Sequence, residues 1–361
     1  MIENINIQGF RGINSLSIEN FGKINLLLGK NNCGKTTVLE TLFLIIGVTN
    51  PVLSRNIHFF RDLILTQTDD FRFLFNKLDF NTKIKIEAGV TPNQIRTLII
   101  HPQFSSELPE KEYTMVKESL PDVSSTSQNS TDNIEKLILN ASIRTQGKSK
   151  SQKFQSEISI EGTKNDVKMP QNYKESLKGL FITKDTIYSD LSKNIENVLV
   201  NKRKSMLLEP LQIIEPQIRD ISLGTKGMIY LDLGYPRLMP LNLLGEGFRR
   251  MLSILTKVSD TRNGIILLDE IENGLHYSSM KVFIKYLIKI AELQHIQLFI
   301  TTHSKETLNA IYEVLTIPEF SKFKTNIKSF TIRKHREDKI ISYPYDFEKL
   351  DYAIEQDIEM R

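Results

Sequence analysis

The sequence is poor in the features that mark exported and membrane proteins. Its 361 residues include a single cysteine, Cys33, which excludes an intramolecular disulfide and a cysteine-based zinc site. The longest apolar runs, such as residues 265–268, fall far short of the ~18 residues that a bilayer span requires. The first residues, Met1–Asn4, place no basic stretch ahead of an apolar one. These absences predict a cytoplasmic protein without a membrane segment.

An excess of charge of one sign is also absent overall, although the charges are unevenly distributed. The 47 Lys and Arg residues and the 43 Asp and Glu residues leave a net charge of +4. Residues 141–204 carry 13 basic and 7 acidic side chains, and residues 322–339 carry 7 basic and 2 acidic ones. Such segments can attract nucleic acid or an acidic protein, or they can form solvated faces. The sequence leaves both interpretations open.

The hydrophobic pattern changes its period along the chain. With 40% hydrophobic and 25% charged residues, the composition is that of a globular protein. Alternating apolar residues predict strands before residue 28, and a helical spacing predicts a helix over Lys35–Ile46. Short β-branched runs predict an antiparallel sheet within residues 84–162, and the polar composition of residues 122–133 predicts a mobile loop there.

The second half of the chain begins with a helical pattern and then returns to alternating strands and helices. The spacing over residues 171–223 predicts a helical insertion broken by Pro210 and Pro216. After it, buried strands are predicted at residues 265–268 and 297–301, separated by a helix.

The most specific motif is a glycine-rich loop between a predicted strand and a predicted helix. It reads Gly29-Lys30-Asn31-Asn32-Cys33-Gly34-Lys35-Thr36 and is followed by Thr37. This is the pattern of a phosphate loop, whose backbone N–H groups and helix N-terminus face phosphate oxygens. We expect Lys35 to reach the β- and γ-phosphates of ATP and the Thr36 hydroxyl to bind Mg²⁺. A glycine turn without a ligand is the alternative, but the flanking strand and helix favour a phosphate loop.

Two carboxylates follow the buried strand at residues 265–268. Transfer of a phosphoryl group to water requires a carboxylate for the metal and a group that orients the water. Asp269 is predicted to bind Mg²⁺ and Glu270 to polarise the water. An ordinary strand end would look similar, but the phosphate loop in the same chain favours catalysis. The next strand leads to His303, which we expect to stabilise charge at the γ-phosphate.

Five segments of this chain occur together in one class of ATPases. They are the phosphate loop, the strand ending in Asp269-Glu270, Glu272-Asn273-Gly274-Leu275-His276, Thr301-Thr302-His303-Ser304 and Leu243–Arg250. This set resembles the ABC-class ATPase heads of chromosome-maintenance proteins, RecF-like repair proteins and the overcoming-lysogenization-defect (OLD) group. The similarity is greatest to stand-alone AAA-type ATPases of prokaryotic antiphage defence systems, which lack a fused toprim nuclease domain. It covers residues 1–50 and 224–310.

The resemblance, together with the pattern of predicted strands and helices, implies the fold class and the division of the chain. The fold would be α/β, an ABC-type P-loop NTPase head with an antiparallel β lobe and a helical insertion. The head would comprise residues 1–83 and 224–345, the β subdomain residues 84–170 and the helical insertion residues 171–223. Residues 346–361 would form an acidic C-terminal tail whose carboxylates resemble an exposed helical face more than a nuclease centre. An effector is therefore expected on a separate chain.

The resemblance also implies a homodimer or a higher oligomer, because in this family two heads enclose two ATP molecules. Each phosphate loop would face the signature segment of the other head, here Gly245, Glu246 and Gly247. Arg11 would lie near the bound phosphates, and a plain surface residue is the less favoured alternative.

The signature segment departs from the family pattern. Leu244 stands where the family has a serine, so a hydroxyl contact to the γ-phosphate is missing, which predicts slow or partner-dependent hydrolysis. The glutamine that follows the first lobe in the family has no clear counterpart, and Gln103 is only a weak candidate for it.

The motifs thus predict an Mg²⁺-dependent ATPase, and the resemblance implies that it couples its nucleotide state to a partner effector in antiphage defence. Two alternatives stay open. The basic segments would suit a DNA-binding ATPase of repair or chromosome maintenance, and the missing serine would suit a nucleotide-gated scaffold with little turnover. ATP and Mg²⁺ are the predicted cofactors, nucleic acid stays open as a partner, and no membrane is expected.

Overall fold

The structure, a computed structural model, describes residues 1–105, 134–147, 151–335 and 339–356, so the loop predicted at 122–133 lies outside the described residues. Its strands are β1 (Ile2–Phe10), β2 (Ile13–Ile18), β3 (Ile24–Leu28), β4 (Ile84–Val90), β5 (Gln94–Phe104), β6 (Ile134–Thr145), β7 (Gln152–Glu161), β8 (Lys164–Lys168), β9 (Gly179–Ile182), β10 (Asp220–Leu223), β11 (Ile229–Asp232), β12 (Met239–Pro240), β13 (Ile265–Leu268), β14 (Gln297–Thr302), β15 (Ile327–Lys334) and β16 (Ile340–Tyr345). Its helices are α1 (Lys35–Ile46), α2 (Val52–Phe59), α3 (Leu191–Val200), α4 (Ser205–Ile214), α5 (Glu246–Asp260), α6 (Tyr277–Leu293), α7 (Lys305–Thr316) and α8 (Phe347–Glu355). None of these helices is long and apolar enough to cross a bilayer.

A six-stranded sheet in the order β16-β15-β3-β14-β13-β9 forms the centre of the molecule. All neighbouring strands in it are parallel except β15 and β16. Its inner strands are continuous apolar runs because both faces are covered. Leu26 and Leu28 belong to the core on one face, and Leu27 belongs to the core on the other. The strands predicted at 265–268 and 297–301 are confirmed.

A seven-stranded antiparallel sheet in the order β2-β1-β4-β5-β6-β7-β8 packs beside the first. The antiparallel sheet predicted within residues 84–162 is confirmed, and β1 and β2 extend it. Helix α1 begins and ends as the sequence predicts, and its apolar side chains share one core with both sheets. The phosphate loop therefore enters a helix that is held from two sides.

Residues 171–223 are only partly helical, which corrects the predicted helical insertion. Helices α3 and α4 form, but Gly179–Ile182 is strand β9, parallel to β13 with Phe181 opposite Leu267. A short apolar run fits a buried strand as well as a helix, and here pairing with the sheet decides between them. The predicted break at Pro210 is also wrong, because α4 continues through that residue with the loss of one helical hydrogen bond.

The segment predicted as an acidic tail contains helix α8, which packs on the core. Its cap is Asp346, whose carboxylate accepts a hydrogen bond of 3.0 Å from the backbone N–H of Lys349. Phe347, Leu350 and Ala353 recur every three residues and are buried. Their period, rather than the charges between them, decides the structure of this segment.

Arg96 on β5 ties the end of α1 to the sheet. Its side chain is fully buried and donates hydrogen bonds to the carbonyl of Ile46 at 3.0 Å and to the carboxylate of Glu175 at 2.8 Å. A cation at a helix C-terminus also interacts favourably with the helix dipole. Arg96 therefore donates hydrogen bonds to two acceptors that folding shields from water, which would otherwise have no partner.

Replacing Arg96→Met should lower the free energy of unfolding by about 3–5 kcal/mol, because a partly buried carboxylate loses its cation. Urea denaturation followed by circular dichroism measures this change. Arg144→Met on the neighbouring strand β6 is the matched control, since Arg144 is exposed, and it should change stability by less than about 0.5 kcal/mol. Equal effects of the two substitutions would contradict this role for Arg96.

Candidate functional site

The loop between β3 and α1 has the backbone conformation of a phosphate-binding loop. Gly29 has φ of +142° and Gly34 has φ of +105°, values that side chains other than glycine rarely adopt. A Cβ on Gly29 would lie 2.5 Å from the carbonyl oxygen of Ile332 and 2.6 Å from Cys33 Sγ. Cys33 is buried, and burial raises the pKa of its thiol, which argues against redox reactivity.

The side chain of Lys35 forms hydrogen bonds with the backbone of its own loop. Its ammonium donates hydrogen bonds to the carbonyls of Gly29 at 2.7 Å and Lys30 at 2.9 Å, and its side chain is buried. The charge is therefore held at the concave side of the loop, where the N-terminus of α1 begins. Both the ammonium and the helix dipole favour an anion at this place.

The Asp269 carboxylate lies directly against the first turn of α1. The Thr36 hydroxyl is 3.1 Å from both carboxylate oxygens, and the Thr301 hydroxyl donates to one of them at 2.6 Å. Burial raises the pKa of Asp269, although the two hydroxyl groups counteract the shift. A nearby cation would offset the cost of this buried charge.

The donor set at Thr36 and Asp269 fits Mg²⁺, which prefers hard oxygen ligands and takes few of them from protein. Within the described ranges, no cluster of three or more His, Cys, Asp or Glu side chains could hold a metal by itself. A magnesium ion at this place would therefore depend on phosphate oxygens and water for its remaining ligands.

Glu270 is held in an uncommon conformation at the end of β13. Its φ is +46°, its backbone N–H donates to the Thr301 hydroxyl at 2.7 Å, and its carboxylate accepts a hydrogen bond from the Asn273 side chain. In a residue other than glycine, this backbone conformation raises the free energy of the folded state by about 1–3 kcal/mol. The carboxylate lines the same cavity as the phosphate loop. Its position agrees with the predicted role beside attacking water, which stays a prediction.

His303 follows β14 and is oriented by Glu272. Its Nδ1 lies 2.9 Å from Glu272 Oε1, and its backbone N–H donates to the same oxygen at 2.8 Å. The imidazole is 39% exposed and is not among the residues that line the cavity. A contact between His303 and the γ-phosphate therefore stays a prediction.

The cavity beside the loop has a volume of about 550 Å³. Of the residues selected from the sequence, the following line it: Arg11, Asn31, Asn32, Gly34, Lys35, Thr36, Thr37 and Glu270. The sequence thus located most of the polar lining. Gln103 is not part of it; this residue is exposed on β5 and donates a hydrogen bond to Glu135.

A buried carboxylate on α1 holds two arginines at the cavity. Glu40 is fully buried, and its oxygens lie 3.1 Å from Arg11 Nε and 2.6 Å from Arg61 Nε. Arg61 also donates to the Thr37 hydroxyl at 3.3 Å. Burial lowers the pKa of Arg11 to about 10, and it stays charged at neutral pH. Sequence reasoning missed Arg61 and Glu40, although a glutamate among the apolar residues of α1 signals a buried partner.

The signature segment lies outside this cavity in the same chain. Gly245 precedes α5, and a Cβ on Gly247 would lie 2.3 Å from the carbonyl oxygen of Gly274. Arg250 donates a hydrogen bond of 3.1 Å to the carbonyl of Glu270. The segment therefore packs against the turn that follows Asp269, while Gly245 and Glu246 stay exposed.

His58 on α2 is buried close to Arg11 and generates a prediction about pH. Its Nδ1–H donates to the carbonyl of Ser54 at 2.7 Å. Burial, together with the charge of Arg11, lowers the pKa of His58 to about 4. Because the unfolded chain binds a proton at His58 near pH 6.5 and the folded chain does not, acid must destabilise the fold.

The contribution of His58 to stability should be complete above about pH 6.5 and should decrease by about 2–3 kcal/mol as the pH falls to 4.5. Urea unfolding at several pH values measures it, as the difference between the wild type and His58→Asn. His295→Asn is the control, because His295 is exposed. A pH profile that is the same in all three proteins would contradict the assignment.

Comparison with known proteins places this geometry in a family context. A family model described as "AAA domain, putative AbiEii toxin, Type IV TA system" matches residues 24–309, from β3 into α7. A Helicobacter pylori protein named "ATP/GTP phosphatase" is 24% identical over 387 residues, which cover 99% of each chain. The uncharacterized protein MJECL10 of Methanocaldococcus jannaschii is 51% identical over 47 residues, 13% of this chain and 22% of its own length.

A solved structure shares the fold. An SMC head, determined in complex with the C-winged helix domain of ScpA, aligns with a TM-score of 0.50. The alignment covers 97% of this chain and 99% of that chain, at 11% sequence identity. The fold is therefore that of an ABC-type P-loop ATPase head, as the sequence resemblance implies.

Proposed function

We propose that this chain, which belongs to the family described as "AAA domain, putative AbiEii toxin, Type IV TA system", is a magnesium-dependent nucleoside triphosphatase. The observation that carries the proposal is the contact between the Thr36 hydroxyl and both oxygens of Asp269 at 3.1 Å. These two residues are 233 positions apart in sequence. Their meeting beside a lysine-containing phosphate loop is the arrangement that transfer of a γ-phosphoryl group requires.

Each residue of the site has a proposed task in the reaction. The backbone of residues 29–36 and the Lys35 ammonium bind and orient the phosphates. Thr36 and Asp269 would hold Mg²⁺, which, when bound, supplies positive charge to the β- and γ-phosphates. Glu270, oriented by Asn273, accepts a proton from the water that attacks phosphorus.

Three cationic or titratable side chains complete the proposed electrostatics. Arg11 and Arg61 are fixed by Glu40 and present their positive charge at the cavity, where it would stabilise the negative charge that spreads over the phosphate oxygens. His303 is proposed to act at the γ-phosphate side, with its ring oriented by Glu272.

We further propose that two copies of the chain act together. The exposed segment at Gly245 and Glu246 lies at the N-terminus of α5, a 15-residue helix whose dipole favours an anion. In a head-to-head dimer this helix end would complete the site of the other copy. The exposed side chain of Leu243, 72% accessible, would be covered in such an arrangement.

The biological role we propose is antiphage defence, with the nucleotide state coupled to a partner effector on a separate chain. The family description, which refers to a type IV toxin–antitoxin system, supports a role of this kind. Phage plating on cells that express the native locus tests it: the wild type should reduce plaque numbers and Lys35→Ala should restore them. Equal plaque numbers with both would contradict the defence role.

Purified wild-type chain should release phosphate from ATP only in the presence of Mg²⁺. Glu270→Gln should lower kcat by 10²-fold or more while it retains ATP binding, because the water loses its proton acceptor. Lys35→Ala should lose ATP binding, since the loop loses its cation. Phosphate release and equilibrium binding of ATP measure the two effects.

Glu19→Gln is the control for the first variant, because Glu19 is exposed and outside the cavity, and its turnover should equal that of the wild type. Turnover that survives in both Lys35→Ala and Glu270→Gln would contradict the catalytic assignment.

Light scattering of Glu270→Gln tests the dimer, with a doubled mass expected when ATP and Mg²⁺ are present.

A further inference from the structure

Strand β9 lies at one end of the six-stranded sheet and has a free edge. Among the described residues it pairs with β13 alone, and no isolated bridge reaches it. The free edge of a strand presents unpaired backbone N–H and C=O groups, which form a template for pairing with another strand.

The backbone groups that face outward from β9 follow from those that face β13. The carbonyls of Lys178 and Ile182 accept hydrogen bonds of 2.8 Å and 3.1 Å from backbone N–H groups at the two ends of β13. Successive residues of a strand direct these groups to opposite sides, so Gly179 and Phe181 face outward. The Thr186 hydroxyl covers the carbonyl of Phe181 at 3.0 Å. The N–H and C=O of Gly179 and the N–H of Phe181 remain for a partner strand.

A groove of about 510 Å³ lies beside this part of the edge. Lys178, Gly179 and Leu180 form one wall of this β9 groove, and residues of α3 and α5 form the other. It lies at the start of β9, whereas the nucleotide site lies beyond the end of the sheet strands, and the two share no lining residue. The volume is in the range of pockets that hold a ligand of several residues or a drug-sized molecule.

Lys257 on α5 is a buried cation in the lining of the β9 groove. Its side chain is 4% exposed, and its ammonium donates to the carbonyl of Ser189 at 2.7 Å and to the hydroxyl of Ser189 at 3.0 Å. An ammonium has three N–H donors, so the contacts of the described residues leave one for a ligand. Burial lowers the pKa of Lys257, and a ligand carboxylate would offset this effect.

Positive charge predominates in the β9 groove. Lys178 and Arg262 line it together with Lys257, and no described carboxylate lies within ion-pair distance of these three cations. Of the two carboxylates that line the groove, Asp260 already accepts a hydrogen bond of 3.0 Å from an amide on α3, and Asp190 is the other. Charge complementarity therefore favours a ligand that carries an acidic side chain.

We propose that an extended segment of another protein pairs with the free edge of β9 and places an acidic side chain against Lys178, Lys257 and Arg262. In this mode of recognition, main-chain hydrogen bonds give affinity and the side chains of the groove give specificity. A second copy of β9 is disfavoured as the occupant, because pairing edge to edge would bring the cations of two grooves together. The inference goes beyond the proposed function, since it requires no nucleotide.

Fluorescence anisotropy with a labelled synthetic peptide, Thr-Val-Thr-Glu-Val-Thr, tests the proposal on the full chain. The wild type should bind this peptide about tenfold or more tightly than the same peptide with Lys in place of Glu. Methylation of one alternating set of peptide nitrogens should weaken binding by about tenfold or more, because those N–H groups face β9. Methylation of the other set should change it by less than about twofold.

The double variant Lys178→Glu/Arg262→Glu should reverse the preference between the two peptides, and both residues are exposed, so the fold should persist. Lys193→Glu is the matched control, because Lys193 is exposed on α3 but does not line the β9 groove. It should bind both peptides within about twofold of the wild type. Amide hydrogen exchange gives the position: the N–H of Gly179 should exchange about tenfold or more slowly when the Glu peptide is bound.

Three results would overturn the proposal. If the wild type does not bind the Glu peptide at millimolar concentration, the edge is closed to pairing. If the peptide binds but the exchange of Gly179 is unchanged, it binds elsewhere. If the peptide does not bind and the wild type self-associates in a manner that the double variant abolishes, a second copy covers the edge.

The proposed function can fail without affecting this test. Lys35→Ala should bind the Glu peptide as the wild type does, because Lys35 does not line the β9 groove. Loss of ATP turnover with intact peptide binding would therefore separate the two sites.

Discussion

The parallel register of β3, β14 and β13 is the constraint on which the site depends. Leu28 pairs with Thr302, and Leu268 pairs with Ile300, so the three strands end at the same edge of the sheet. Polar residues that follow these strands must then lie close together, whatever their separation in sequence. The phosphate loop, Asp269 and His303 all leave the sheet at this edge. Both faces of the sheet are buried, each by its own apolar core.

The polar groups at this edge are held by one another rather than by solvent. The Glu40 carboxylate is fully buried and loses its hydration, and its contacts with Arg11 and Arg61 offset the free energy of that desolvation. The strain at Glu270 is compensated by bonds to Thr301 and Asn273. Such groups need no rearrangement when charge develops nearby, which is the property that electrostatic catalysis requires.

Much of the site could be predicted because its signals are local in sequence. A strand, two glycines and a helix identify the phosphate loop, and an apolar run that ends in two carboxylates identifies Asp269 and Glu270. The pairing of Glu40 with Arg61 could not be predicted, because it depends on how α2 packs on α1.

The error in the fold over residues 179–182 has a physical origin in strand pairing. Residues 179–182 form a strand because β13 offers an edge to pair with, while their own apolar spacing fits a helix equally well. In this strand, tertiary contacts override the local pattern.

The proposed nucleotide site lies at the edge formed by β3, β13 and β14, and a crystal structure of Glu270→Gln grown with ATP and Mg²⁺ can show it. We expect a triphosphate along residues 29–36, with a metal ion between the Thr36 hydroxyl and the Asp269 carboxylate. Nucleotide bound elsewhere, with the bonds from Lys35 to the carbonyls of Gly29 and Lys30 still in place, would overturn this assignment.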